Sequence, residues 1–264
     1  MIELKSQREI ELMRDAGRIV AETYERINEA IKPGITLRDL DTLAEKYLRS
    51  QGAKPLYKGY QGSTASNPPF PGTICASINE EICHGIPDDR ALKEGDIVGI
   101  DIGLRYRGYC GDACKTFAIG TISPEAHRLM EVALECLRLG IEAAQPGEYL
   151  NDIGAVIEDY AQSKGMSVVR DLTGHGVGKQ LHEAPTVMHV RQQGRGPRLR
   201  PGMVFTVEPM INLGTARRRT LADGWTEVTA DGSLSAQFEH TIAITASGPD
   251  ILTKLEGQTL WTLQ

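Results

Sequence analysis

The sequence predicts an α+β fold with a pseudo-two-fold internal repeat. Apolar residues at helical spacing are followed by short strand-like runs, and this order occurs twice, at about residues 1–120 and 121–250. A Pro-Gly pair ends the first helix of each half, at 33–34 and 146–147. Helices followed by antiparallel strand pairs are typical of α+β domains. Because no low-complexity linker separates the halves, we expect residues 1–264 to form a single domain.

Both helices of the first half have clear start signals. Ser6 and Glu9 form a capping box ahead of the first apolar stripe. Thr36 and Asp39 predict the start of a second helix, and Gly52 predicts its end.

The rest of the first half predicts a loop and then a hairpin. Residues 53–73 are rich in Gly, Pro, Ser and Tyr and are typical of an irregular loop. A short strand is predicted at 74–78. Two longer ones follow at 97–104 and about 110–119, with a turn at 106–108.

The second half restarts the pattern. Ser123 precedes a proline at the first helical turn, which favours a helix start there. Asn151 or Asp152 is the predicted cap of the next helix, and Gly165 its end. Strand-like segments follow at 166–170, 203–211 and 225–246.

Composition sets limits on the class of protein. Apolar residues make up 41% and charged residues 24%, as in globular proteins. No apolar run is long enough to span a membrane, and the polar N-terminus has no signal-peptide core, so we expect a cytoplasmic protein without a membrane partner. The net charge of −6 does not favour DNA binding.

Cysteines and arginines each allow two interpretations. The cysteines are odd in number and lie in apolar runs, which indicates reduced core residues; a cysteine zinc site is the alternative, although no CxxC pair exists. They are Cys75, Cys83, Cys110, Cys114 and Cys136. Basic clusters within residues 191–200 and 217–219 indicate either a solvated loop surface or a surface that docks to RNA or the ribosome.

Five widely spaced residues together suggest a metal site. Each is an acid or a histidine within an apolar, strand-like or Gly-rich segment, where a carboxylate is costly unless a cation compensates it. Four carboxylates would balance two divalent ions. The five are Asp101, Asp112, His175, Glu208 and Glu239.

The two aspartates lie on the arms of the predicted hairpin. A turn near 106–107 would place Asp101 and Asp112 nearly opposite each other on one face. Opposed carboxylates repel unless a metal ion bridges them. The alternative is a pair of ordinary turn or surface aspartates, which does not explain their apolar surroundings.

The chain resembles a known family, the bacterial-type (type I) methionine aminopeptidases. The resemblance rests on SINEEICHGIPD, the IDIG strand, GDACKTF, GHGVGKQLHEAP, RPGMVFTVEPMI and DGSLSAQFEHTI, and the opening helices are similar too. It implies the pita-bread fold, a single catalytic domain and a dinuclear metal site formed by the five residues above. Asp112 and Glu239 would bridge both ions.

The resemblance also implies a mechanism. Oxygen-rich ligation with one imidazole suits Mn²⁺, Fe²⁺ or Co²⁺ better than a thiolate zinc site, although Zn²⁺ stays possible. A water or hydroxide between two ions roughly 3.5–4 Å apart would attack the peptide bond. Glu208 would act as general base, His182 would stabilise the oxyanion and His84 would contact the scissile amide nitrogen. His127 and His189 match no motif and are expected on the surface.

A methionine-sized substrate pocket is implied as well. Its lining would be Tyr60, Phe70, Cys75, Leu181 and Trp225. Thioether contacts with aromatic rings suit methionine. The Pro-rich loop 63–72 is longer than is usual in the family.

The expected activity is removal of the initiator methionine from nascent chains when the second residue is small and uncharged. The partner is then the nascent N-terminus, with the ribosome surface as a further possibility, and the enzyme is expected to be a monomer. Two alternatives share the fold: an X-Pro-cleaving enzyme, and a binding protein that has lost its chemistry. The GHGVGKQLHEAP segment resembles the methionine enzymes, and all five ligands are present.

Overall fold

The computed structural model describes residues 1–62 and 68–263, in which helices and short strands alternate. The helices are α1 (Gln7–Ala30), α2 (Leu37–Ser50), α3 (Pro124–Ala143) and α4 (Leu150–Ser163). The strands are β1 (Lys54–Pro55), β2 (Cys75–Ile78), β3 (Glu81–Cys83), β4 (Ile97–Tyr106), β5 (Tyr109–Ala118), β6 (Ser167–Val168), β7 (Gly174–Gly176), β8 (Glu183–Val187), β9 (Val204–Val207), β10 (Met210–Asn212), β11 (Arg218–Thr220), β12 (Glu227–Thr229), β13 (Ser235–Gln237), β14 (His240–Thr245) and β15 (Gly248–Ile251).

These strands form antiparallel sheets against which the helices pack. A four-stranded sheet has β4 at its centre, with β5 along one edge and β1 and β2 along the other. A five-stranded sheet has the order β15-β14-β9-β7-β8, and two three-stranded sheets have the orders β13-β10-β6 and β11-β12-β3. No helix in the described part of the chain is long and apolar enough to cross a membrane.

The main core lies between the helix pairs and the sheets. Tyr24 of α1 is 1% exposed and donates its hydroxyl to the carbonyl of Ile100 on β4 at 2.9 Å. Phe205 and Phe238 are fully buried in the same core. All five cysteines are free and buried, as the sequence predicts.

Both halves contain the same hydrogen-bonded junction. The amide of Gly34 donates to the carbonyl of Leu92 at 2.7 Å, and the amide of Gly147 donates to Leu199 at 2.9 Å. In each case the glycine follows the first helix of its half, with φ of +93°. Each Pro-Gly pair therefore ends a helix and turns the chain back toward the strand-bearing segment of its own half.

Three of the four predicted helix starts are confirmed. Ser6 and Thr36 form the expected capping boxes, and Ser123 caps α3. The fourth prediction is wrong, because α4 begins after Tyr149 without a side-chain cap. Backbone supplies what a cap would give: the amides of the first two residues of α4 donate to the carbonyls of Pro197 and Arg195, at 3.0 and 3.1 Å.

The two long strands predicted in the second half are interrupted. β9 pairs with β14 in the five-stranded sheet, and β10 pairs with β13 in a three-stranded sheet. Between these ladders lie two residues on each strand, 208–209 and 238–239. Pro209 has no amide hydrogen to continue a ladder. The chain therefore passes from one sheet to another at two adjacent points.

Hydrogen bonds tie the halves and the last described segment together at these breaks. The amide of Glu239 donates to the carbonyl of Cys114 on β5 at 2.8 Å. Trp261 packs edge-on against Tyr24, with ring centroids 4.9 Å apart, and donates its indole N–H to the carbonyl of Glu239 at 2.9 Å. Residue 239 is thus held by the first half of the chain and by residue 261.

Candidate active site

A cavity of about 1000 Å³ lies where the β4–β5 hairpin meets the two strand breaks. Every residue predicted from the sequence as a metal ligand or as a catalytic histidine lines it. They are His84, Asp101, Asp112, His175, His182, Glu208 and Glu239.

The hairpin presents Asp101 and Asp112 on one face, but not opposite each other. Asp101 pairs with Cys114, and Asp112 pairs with Gly103. The predicted pairing is therefore wrong by two residues, and the aspartates are diagonal neighbours. The reason is the turn: Arg107 and Gly108 both have positive φ, +50° and +89°, as a two-residue hairpin turn requires, and this places the turn one residue later than 106–107.

A tyrosine joins these two carboxylates. The hydroxyl of Tyr57 lies 2.6 Å from Oδ1 of Asp101 and 2.7 Å from Oδ1 of Asp112. It stands in the irregular loop after β1, three residues before the predicted pocket residue Tyr60, and the sequence analysis assigns Tyr57 no role.

His175 turns one ring nitrogen toward the carboxylates. Its Nδ1 lies 3.1 Å from the carbonyl of Gly176, which can only accept, so Nδ1 carries the hydrogen. Nε2 is then free, at 3.4 Å from Oδ2 of Asp112 and 3.6 Å from Oε1 of Glu208. Burial lowers the pKa of His175 and favours this neutral form. A neutral imidazole with a free Nε2 is a common metal ligand.

Glu208 occupies the first strand break and is held from three sides. Thr206 donates its hydroxyl to Oε1 at 2.6 Å, and Gln237 donates its amide to Oε2 at 3.4 Å. The amide of Glu208 donates to Nε2 of His189 at 3.0 Å. Glu239, at the other break, has its backbone fixed by Cys114 and Trp261.

The prediction that His127 and His189 lie on the surface is correct for His127 and wrong for His189. His127 is exposed. His189 is 2% exposed, because its ring accepts the Glu208 amide at the strand break. Burial lowers the pKa of His189 to about 3, so the ring stays neutral and keeps its acceptor nitrogen.

Burial raises the pKa of all four carboxyls. The pKa of Asp112 rises to about 6, mainly through burial. Burial raises the pKa values of Asp101, Glu208 and Glu239 well above their ordinary range, and neighbouring carboxylates add to the effect. Such a group is costly when ionised unless cations neutralise it.

The donor set fits divalent cations. Ligand atoms of Asp112, His175 and Glu239 all lie within 4.8 Å of one another. Glu208 adjoins this group through His175, and Asp101 adjoins it through Tyr57. Hard oxygen donors with one imidazole suit Mn²⁺, Fe²⁺, Co²⁺ or Zn²⁺.

The two further histidines, His84 and His182, also line the cavity. His84 is exposed and has a left-handed backbone, with φ of +56°, which is uncommon for a residue with a Cβ. Nδ1 of His182 lies 3.0 Å from the hydroxyl of Tyr60. Burial and the adjacent His175 lower the pKa of His182 to about 4, so the ring is neutral at physiological pH.

Four of the five predicted pocket residues line this cavity. Phe70 and Trp225 meet edge-on with centroids 5.3 Å apart, and Tyr60 lies 6.4 Å from the Trp225 ring. Cys75 lines the cavity too. Leu181 does not; it lines a second cavity of about 340 Å³, which shares Tyr60 and His182 with the first. Residues 63–67 of the Pro-rich loop lie outside the described residues. Pro68 accepts the indole N–H of Trp225 at 2.8 Å.

Three residues of the site are not predicted by the sequence. Tyr57 gives no local signal, since its loop is irregular. His189 belongs to no motif. Thr206 could have been found, because it lies two residues before Glu208 on the strand predicted at 203–211, where alternate residues share a face.

Comparisons of the sequence and of the structure relate this chain to known proteins. The profile of metallopeptidase family M24 matches residues 11–246. Methionine aminopeptidase 1 of Bacillus subtilis is 50% identical over 255 residues, which is 97% of this chain and all of that protein. A methionine aminopeptidase from Rickettsia prowazekii superposes with a TM-score of 0.91 at 42% identity, covering 96% of this chain and 100% of that one.

A more distant structure shares the fold alone. The Xaa-Pro dipeptidase of Bacillus anthracis superposes with a TM-score of 0.76 at 24% identity, over 99% of this chain and 64% of its own. The α+β pita-bread fold that the sequence predicts is thus confirmed.

Proposed function

The chain belongs to metallopeptidase family M24 and to the methionine aminopeptidases within it, and from that premise we propose that it removes initiator methionine from new proteins. The second residue of the substrate would be small and uncharged. The observation that carries the proposal is the cluster of four carboxylates and one free imidazole nitrogen at the wall of a cavity lined by aromatic rings.

The five converging residues would hold two divalent ions. Asp112, His175 and Glu239 would form the centre of the ligand set, and Asp101 and Glu208 would complete it. When bound, the ions would polarise the scissile carbonyl and lower the pKa of the attacking water.

Glu208 is suited to accept the proton of that water. Its Oε1 is occupied by the Thr206 hydroxyl at 2.6 Å, while Oε2 has only the longer contact with Gln237, at 3.4 Å. Oε2 is therefore the freer atom for proton transfer. A positioned carboxylate base contributes typically about 10²–10⁴-fold to the rate.

The two histidines would act on the substrate amide. Where the Tyr60 hydroxyl donates to Nδ1 of His182, the hydrogen of that ring is on Nε2 and is available to a developing oxyanion. His84 would contact the scissile amide nitrogen. The aromatic rings of Tyr60, Phe70 and Trp225, with Cys75, would receive the methionine side chain.

The cellular setting is part of the proposal. The enzyme would act as a monomer in the cytoplasm on nascent N-termini. For the basic clusters, ion pairs favour the solvated-surface interpretation over ribosome docking: Arg191 pairs with Asp159 at 2.6 Å, and Arg195 pairs with Asp152 and Glu148.

Chelation and metal return test the proposal. Exhaustively chelated protein should not cleave a Met-Ala peptide, and Mn²⁺ or Co²⁺ should restore cleavage, because the carboxylate cluster cannot activate water alone. Activity that survives chelation, or that prefers Ala-Pro to Met-Ala peptides, would contradict it. The second outcome would favour an X-Pro-cleaving enzyme. Metal binding without cleavage of either peptide would favour the binding-protein alternative.

A further inference from the structure

One polar group of the site has no place in the mechanism above: the hydroxyl of Tyr57. It contacts Oδ1 of Asp101 and Oδ1 of Asp112 at 2.6 and 2.7 Å, and so touches both aspartates of the hairpin. The loop that bears it is fixed to β4, because the amide of Leu56 donates to the carbonyl of Gly103 at 3.0 Å. The tyrosine is therefore fixed to the strand that carries Asp101.

The hairpin leaves room for this ring. A Cβ added at Gly103 would lie 2.7–3.0 Å from the ring and hydroxyl atoms of Tyr57, closer than real Cβ contacts. Gly103 pairs with Asp112 across the ladder, so its missing side chain opens the space directly beside that carboxylate. On its other side the ring meets Phe70 edge-on, with centroids 6.5 Å apart.

The hydroxyl also has suitable chemistry. A phenol, whose ordinary pKa is about 10, is a neutral donor at physiological pH. A neutral donor adds no charge to a site that must hold divalent cations, and its single hydroxyl lies within hydrogen-bonding distance of both carboxylates. Groups that hydrogen-bond to metal ligands typically change metal affinity by about 10–100-fold when they are removed.

Resting on the proposed function, we propose that Tyr57 is a positioning residue that fixes the Asp101 and Asp112 carboxylates for divalent-cation binding. Its hydroxyl sets how tightly the hairpin side of the site holds a cation. The ring alone fills space, so a purely structural role would depend on the ring and not on the hydroxyl.

Titration calorimetry of chelated protein with Mn²⁺ tests the hydroxyl directly. Tyr57→Phe keeps the ring and should weaken Mn²⁺ binding by about 10–100-fold, with an unchanged circular dichroism spectrum. Tyr109→Phe is the matched control. Its hydroxyl also donates to a carboxylate, that of Glu9 at 2.9 Å, but it lies away from the cavity, and it should bind Mn²⁺ like the wild type.

A double-mutant cycle separates the hydroxyl from the packing of the ring. Gly103→Ala should displace the ring and weaken Mn²⁺ binding in the Tyr57 background. In the Tyr57→Phe background the same change should leave Mn²⁺ affinity unaltered, because no hydroxyl remains to be moved. Equal losses in both backgrounds would overturn the inference.

The outcomes keep the two proposals apart. Wild-type protein that binds no Mn²⁺ would defeat the proposed function itself. Wild-type and Tyr57→Phe proteins that bind Mn²⁺ equally well would leave the function standing and overturn the role of Tyr57.

Discussion

The two sides of the site place their carboxylates by different means. On the hairpin side, Asp101 and Asp112 lie within unbroken ten-residue strands, and the ladder register alone puts them on one face. On the other side, Glu208 and Glu239 lie where two ladders stop, between β9 and β10 and between β13 and β14.

The difference shows in how each side is supported. A continuous ladder fixes side-chain direction through backbone pairing, and a single side-chain hydroxyl, that of Tyr57, contacts both aspartates. A strand break loses that support, and individual partners replace it: Thr206, Gln237 and His189 at Glu208. For the stability of the metal-free fold, changes to the hairpin carboxylates should therefore act mainly through charge, and changes to the groups around the breaks mainly through lost partners.

The largest expected effect is on catalysis, and it comes from a change of Glu208 at the first strand break. Glu208→Gln keeps the shape and the Thr206 contact but removes the base, so kcat on a Met-Ala peptide should fall by about 10²–10⁴-fold. The circular dichroism spectrum and much of the Mn²⁺ binding should survive. Near-normal turnover would mean that Glu208 is not the base.

A charge effect is expected on the hairpin side. The pKa of Asp112, about 6, lies above its unfolded value, so the folded state holds the proton more tightly. Ionisation therefore costs the metal-free folded state about 3 kcal/mol at neutral pH. Asp112→Asn should raise the unfolding free energy of chelated protein at pH 7 by up to that amount, and the gain should vanish as pH falls from about 6 to 4.

Urea unfolding with and without Mn²⁺ measures this effect. With saturating Mn²⁺ the order should reverse, because the wild type gains binding energy that the variant loses. A chelated Asp112→Asn protein that is less stable than the wild type at pH 7 would show that the carboxylate carries no such penalty.

The smallest expected effect is the loss of one partner at the break. His189→Leu leaves the Glu208 amide buried without an acceptor, which should cost about 1–3 kcal/mol of unfolding free energy. The control is His127→Leu on the exposed face of α3, which should change stability by less than about 0.5 kcal/mol. Equal effects in urea unfolding would refute a special role for His189.

The pH dependence of the unfolding free energy of the same variants provides a second test. The folded pKa of His189 is about 3, below its unfolded value, so the unfolded state takes up the proton first as pH falls. The stability that His189 contributes is therefore present above about pH 6.5 and is lost toward pH 3. His189→Leu should flatten that part of the stability curve.

The sequence predicts the parts of the fold that depend on local signals. Capping residues located three helices, and alternation on the hairpin put both aspartates on one face. Its failures arise from distant backbone. The start of α4 is satisfied by carbonyls of residues 195 and 197, and the strand breaks depend on two sheets that meet there. Tyr57 and His189 act through partners far away in the chain, so no spacing rule could identify them.

The contact between Trp261 and Glu239 has a consequence for how this enzyme is made. During synthesis the carboxylates emerge one after another, but the carbonyl of Glu239 gains its indole donor only when residue 261 has left the ribosome. Tyr24, which is translated long before residue 261, also gains this indole ring as a packing partner only then. The backbone of Glu239 therefore gains its indole hydrogen bond only after residue 261 has been translated.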